Sequence, residues 1–88
     1  MSTLPANLTN SIQVTSVRFI GNTFYVGLSD GRELSVPLEG VPWLHWLLTA
    51  SDEQRAQWVI EPGGYAIYWE NLDDGVEICR LLSMTPLG

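Results

Sequence analysis

The stretch Val41-Pro42-Trp43-Leu44-His45-Trp46-Leu47-Leu48 decides how this chain is read. It carries two of the four tryptophans and a single polar side chain, His45. Pro42 suits the first turn of a helix, where its missing N–H is not needed and its fixed φ is already helical. Trp43, Trp46, Leu47 and Ala50 follow helical spacing, and Leu44 and Leu48 widen the apolar arc. A helix this apolar needs cover on more than one side. The flanking segments read as strands, so the helix is expected to lie against a sheet. Its surplus apolar surface predicts a further cover from a second copy of the chain, as a homodimer.

Just downstream, Ser51-Asp52-Glu53-Gln54 has the form of a capping box, with Ser51 as N-cap and Gln54 at the third helical position. Asp52 and Glu53 also suit the positive end of a helix. A short second helix over Asp52 to Gln57 is predicted.

Upstream, Ile12 to Val36 is rich in Val, Ile, Phe, Tyr and Thr and reads as strands. A two-residue turn at Gly21-Asn22 pairs Phe19 with Phe24 and Val17 with Val26, which puts apolar residues on one face. At the next turn a two-residue Asp30-Gly31 loop would set Val26 against Ser35. A three-residue loop, Ser29 to Gly31, instead pairs Val26 with Leu34 and Phe24 with Val36. It requires Gly31 in the left-handed region. Ile12 and Val14 have the opposite parity to Val17 and Phe19, which calls for a bulge near Thr15 or Ser16, or burial of both faces there. The predicted inner face is Val17, Phe19, Phe24, Val26, Leu34 and Val36. The outer face, with Arg18, Ile20 and Tyr25, is free for solvent or a partner. Pro37 ends the third strand.

Further on, Trp58 to Glu61 and Tyr65 to Trp69 form a second hairpin around Pro62-Gly63. The expected pairs are Ile60 with Tyr65 and Trp58 with Ile67. An acidic turn, Asn71 to Gly75, leads to a short terminal helix over Val76 to Leu82. The fold class is therefore α+β: an antiparallel meander plus a second hairpin, with short helices on one face. Residues 1–10 are a loose polar arm, and residues 11–88 are one domain.

The net charge of −6 repels a phosphate backbone, and four scattered arginines make no basic patch. Neither nucleic acid nor an anionic membrane is an expected partner. The N-terminal residues lack the charge and apolar run of a signal peptide. One cysteine, Cys79, rules out an intrachain disulfide and fits a reducing cytoplasm.

Chemistry is poorly provided for. His45 has no carboxylate at helical spacing to orient it, and Cys79 reads as a small buried residue between Val76 and Leu82. Glu70, Asp73, Asp74 and Glu77 lack calcium-loop spacing and read as a solvated turn, with Asp73 or Asp74 capping the next helix. No nucleophile–base–orienter set and no nucleotide motif is present. The chain is expected to be neither an enzyme nor the holder of a cofactor or metal. Trp43, His45, Trp46, Tyr25 and Trp69 are the candidate interface residues, and an aromatic pocket near Trp43, Trp46 and Trp69 is the alternative use.

Asp30-Gly31-Arg32, Val36-Pro37-Leu38, Pro42-x-Leu44, Ala50 with Glu53-Gln54-Arg55 and Trp58, Ala66-Ile67-x-Trp69-x-x-Leu72-Asp73, and Leu81-Leu82 together resemble a group of small bacterial proteins. These form domain-of-unknown-function family two-four-four-two. The likeness runs from about Val14 to Leu82. Relatives commonly read Pro-Arg-Leu where this chain has Pro42-Trp43-Leu44, and Leu-Asp-Glu-Asp-Ile at Leu72 to Val76. The resemblance implies a small α+β fold, no established activity, and an antitoxin-like pairing with a small protein encoded nearby.

Overall fold

The structure is a computed structural model, described here over residues 12–84. The arm predicted over residues 1–10 lies outside the described residues. Two antiparallel three-stranded meanders make up the fold. The first contains β1 (Val14–Ile20), β2 (Thr23–Leu28) and β3 (Glu33–Pro37), and the second β4 (Trp58–Ile60), β5 (Ala66–Trp69) and β6 (Asp74–Glu77). Between them in sequence lie 3₁₀ turns at Leu38–Gly40 and Pro42–Leu44, then α1 (His45–Leu48) and α2 (Asp52–Arg55). A 3₁₀ turn at Glu70–Leu72 joins β5 to β6, and α3 (Ile78–Ser83) follows β6.

The first sheet has the register that its apolar pattern demands. Phe19 faces Phe24, and Val17 faces Val26. Val26 faces Leu34, and Phe24 faces Val36. The three-residue loop closes with Leu28 N–H to Arg32 O at 2.8 Å, and Gly31 has φ +94°. A bulge between Val14 and Ser16 turns Val14 inward despite its parity, so both Val14 and Val17 are buried. Val17, Phe24, Val26 and Val36 are buried, whereas Phe19 and Leu34 are half-buried.

The tryptophan stretch is helical, but in two pieces. Pro42 sits at the start of a 3₁₀ turn, and α1 begins only at His45. Leu44 and Leu47 are completely enclosed, while Trp43 and Trp46 are half-buried. The capping box forms with both of its bonds: Gln54 N–H to Ser51 Oγ at 3.1 Å and Ser51 N–H to Gln54 Oε1 at 2.9 Å. Helix α2 ends at Arg55, and a final turn carries the chain to Gln57.

The second sheet departs from expectation twice. Trp58 pairs with Trp69 and Ile60 with Ile67, two residues away from the predicted register. Gly63 and Gly64 both adopt positive φ, and the longer loop closes with Glu61 N–H to Ala66 O at 2.9 Å. A shift of two keeps parity, so Ile67 and Trp69 still face inward, but Tyr65 leaves the strand and is exposed. Gly64 could carry no side chain. Its carbonyl accepts from Val14 N–H at 2.7 Å, and a Cβ there would lie 2.6 Å from that of Gln13. The second departure is β6. Residues 74–77 are a strand on β5, so the terminal helix starts at Ile78 rather than Val76.

Trp69 is the hub of the core. It is fully buried, and its ring meets Trp46 edge-on at 5.5 Å and Phe24 at 5.9 Å. Phe19 stacks on Phe24 at 5.1 Å. These contacts join β5, α1 and the first sheet with the geometry that aromatic quadrupoles favour.

Arg55 is buried, with 5% of its surface exposed. Its Nε–H donates to Leu47 O at 2.9 Å, and Nη1–H to Gly21 O at 2.9 Å. Nη2–H donates to Asn22 Oδ1 at 3.1 Å and Leu48 O at 3.0 Å. Its own carbonyl accepts the Trp69 indole N–H at 2.9 Å. The planar fork thus satisfies the end of α1 and the β1–β2 turn together, as an ammonium could not.

Arg55→Ala removes the donors to Gly21 O and Leu48 O, while Leu47 O keeps the Ala50 N–H at 3.2 Å, and is expected to cost about 3 kcal/mol in urea unfolding, with Arg55→Lys recovering only part. Gly31→Ala meets open space but holds a Cβ at positive φ, so a loss of about 1 kcal/mol is expected.

Candidate functional site

The five residues singled out from the sequence do not share one cavity. Trp69 is enclosed in the core, with Trp46 against its edge. His45 is exposed on α1 and its backbone carbonyl accepts the Thr49 N–H at 3.0 Å. Tyr25 lies on the outer face of the first sheet, under the Arg18 guanidinium at 4.4 Å. Of the five, Trp43 alone lines two grooves, of about 600 and 480 Å³.

Trp43 forms a wall between these grooves, and Arg80 of α3 lies over its ring at 3.9 Å. The first groove encloses about 600 Å³ between β3 and α3. Leu34, Val36, Val41, Trp43, Leu81 and Met84 supply its apolar lining. The second, about 480 Å³, is lined by Tyr65, Tyr68, Glu77 and Arg80 among others.

The first groove runs along an open edge. Among the described residues, in the sheet order β1-β2-β3, strand β3 has a neighbour on one side only. Leu28 N–H bonds to Arg32 O, so the pairs Val26/Leu34 and Phe24/Val36 are the hydrogen-bonded ones. The backbone groups of Glu33, Ser35 and Pro37 therefore point away from β2. Glu33 is held by Arg18 in a two-pronged ion pair at 3.2 and 3.1 Å.

Groups expected to offer chemistry are dispersed. Cys79 is exposed rather than buried, with its Sγ 4.0 Å from Glu77 Oε1. Because β6 persists to Glu77, the inward positions fall instead on Ile78 and Leu81. Neither Asp73 nor Asp74 caps α3: Glu77 is its N-cap residue and makes no side-chain cap bond. Asp73, at φ +52°, accepts the Tyr68 hydroxyl at 2.9 Å, and Asp74 accepts the Gly75 N–H at 2.8 Å. Among the described residues no three His, Cys, Asp or Glu side chains gather closely enough to hold a metal ion.

Three pKa shifts have local causes. The hydrogen bond to Asp73 comes first in raising the Tyr68 phenol, with burial and the nearby carboxylates adding to it. The Arg32 backbone N–H comes first in lowering Asp30, and the hydrogen bond to Glu33 in raising Arg18.

Sequence reasoning missed Arg55, Arg80 and the open edge. Arg55 had one signal: a lone basic residue ending a capped turn just after an apolar helix. Arg80→Ala should uncover Trp43, raising quenching of tryptophan emission by acrylamide at a stability cost of about 1 kcal/mol or less. The increase should vanish in a Trp43→Phe background.

A family profile described as "Protein of unknown function (DUF2442)" matches residues 14–82. Two solved structures share the fold. A protein of unknown function from Rhodospirillum rubrum is 24% identical, with a TM-score of 0.68 over 82% of this chain and 86% of that one. An uncharacterized protein from Chromobacterium violaceum is 23% identical, with a TM-score of 0.70 over 93% of this chain and 74% of that one. No curated protein matches the chain. With the profile spanning the whole of both sheets, the chain belongs to the DUF2442 family of proteins of unknown function.

Proposed function

We propose that this chain is a non-enzymatic protein-interaction domain of the cytoplasm, and that it binds protein in the groove between β3 and α3. The carrying observation is the combination in one place of an apolar groove and a strand edge that no other described residue pairs with. Backbone groups along an edge give affinity to an extended partner, and pockets beside it select side chains. A small-molecule site instead needs a few convergent polar groups within an enclosed hollow. Here His45 lies outside both grooves, Cys79 lines a separate one of about 560 Å³ beside Ile12, Ile78 and Leu82, and Trp46 and Trp69 are occupied with one another. An exposed thiol with no cysteine to pair with suits a reducing compartment. Among the described residues no helix is long and apolar enough to cross a membrane. The antitoxin-like role implied by the family resemblance is one form of this reading.

The test uses a tagged chain expressed beside an untagged copy in the native host. It should retain a protein, either the untagged copy or another, through salt washes. Leu34→Glu or Met84→Glu should release that protein, and Val59→Glu, on an exposed position of β4, should not. Retention that ignores the groove variants, or a chain that always emerges alone, contradicts the reading.

A further inference from the structure

We propose that the occupant of this groove is a second copy of the chain, joined β3 to β3 in antiparallel fashion about a twofold axis at Ser35. The proposal rests on the reading of the groove as a protein-binding surface.

The edge is complementary to itself. With Ser35 opposite the partner's Ser35, each N–H donates to the other's carbonyl. In the same register Glu33 lies opposite the partner's Pro37, whose carbonyl accepts the Glu33 N–H. Pro37, which has no N–H, falls at the end of the pairing, where its deficit loses only a terminal bond. On the inner face Leu34 stands beside the partner's Val36, an apolar cross-strand pair that extends the groove. Serine at the axis is small enough for two copies to meet.

Charge favours a copy over a basic stranger. The chain carries −6, from ten acidic and four basic residues. Around β3, however, Arg18 neutralises Glu33 at 3.1 Å and Arg32 neutralises Asp30 at 2.8 Å. Apart from Glu39, which follows β3 and accepts from Asn22 Nδ2 at 3.4 Å, the surplus of negative charge lies elsewhere. A cationic partner has no electrostatic reason to choose this edge, and a like-charged copy meets little repulsion there. β6, an edge strand of the other sheet, carries Asp74 and Glu77 beside Glu70 and Asp73, so two copies paired there would crowd carboxylates. Pro37 and the paired Glu33 also limit the edge to a short, closed contact instead of a growing one.

The test is the mass in solution at tens of micromolar, by light scattering or sedimentation. The wild type should run at twice the monomer mass. Ser35→Pro removes an outward N–H and leaves the ladder to β2 intact, so it should give a folded monomer with an unchanged circular dichroism spectrum. In a Cys79→Ser background, mild oxidation should cross-link Ser35→Cys into dimers, because the axis sets the two thiols together. Glu33→Cys should stay unlinked. A monomeric wild type, a dimer that survives Ser35→Pro, or equal cross-linking at both positions overturns the proposal. A monomer that still holds another protein through Leu34 and Met84 overturns the dimer alone and leaves the groove reading standing. A dimer indifferent to both Ser35→Pro and Leu34→Glu removes both.

Discussion

The fold depends on one buried guanidinium. Arg55 meets the β1–β2 turn at Gly21 and Asn22, and the last carbonyls of the apolar helix at Leu47 and Leu48. Its backbone carbonyl receives the indole N–H of Trp69 from the second sheet. Desolvating a charge is expensive unless nearly every donor is satisfied. Here the fork geometry does so with carbonyls at a turn and at a helix end, of which Leu47 O also takes the Ala50 N–H at 3.2 Å. Among the described residues, no buried side-chain nitrogen or oxygen lacks a partner. A small core with no disulfide gains from such a joint, because it fixes the orientation of elements that apolar contact alone would let slide.

That joint explains why the tryptophan helix needs less outside cover than its composition suggests. Trp46 finds Trp69, and Trp43 finds the Arg80 guanidinium, both within the chain. Both indoles stay half-buried, so part of each is still open to a further cover. Along β3, an edge that no other described strand pairs with runs beside Val36, Trp43 and Met84.

Much of the first sheet was legible because one face had to be apolar. That single demand selected the loop lengths, the left-handed Gly31 and the bulge that turns Val14 inward. The capping box was equally plain, since its bonds are local. The second sheet was less so. Its hairpin hides two extra loop residues behind consecutive glycines, and parity cannot distinguish a register from one two residues away. The end of strand β6 was read as helix because Asp74-Gly75 looks like a turn and Val76, Cys79 and Leu82 recur at a three-residue spacing. The candidate site suffered most. Spacing places Trp43 and Tyr25 on their own elements but says nothing of the walls that separate them. Arg80 reaches Trp43, and Arg55 reaches Gly21 and Asn22, over sequence separations that no local pattern records.

The most direct test of the Arg55 joint is native-state hydrogen exchange followed at the Trp69 indole N–H and the Arg55 Nε–H. If the joint holds both sheets and the apolar helix as one unit, both protons exchange only through global unfolding. Their protection then equals that of the slowest amides of β2 and β5. Exchange of either proton through a low-energy local opening, with those strands still protected, would contradict the account.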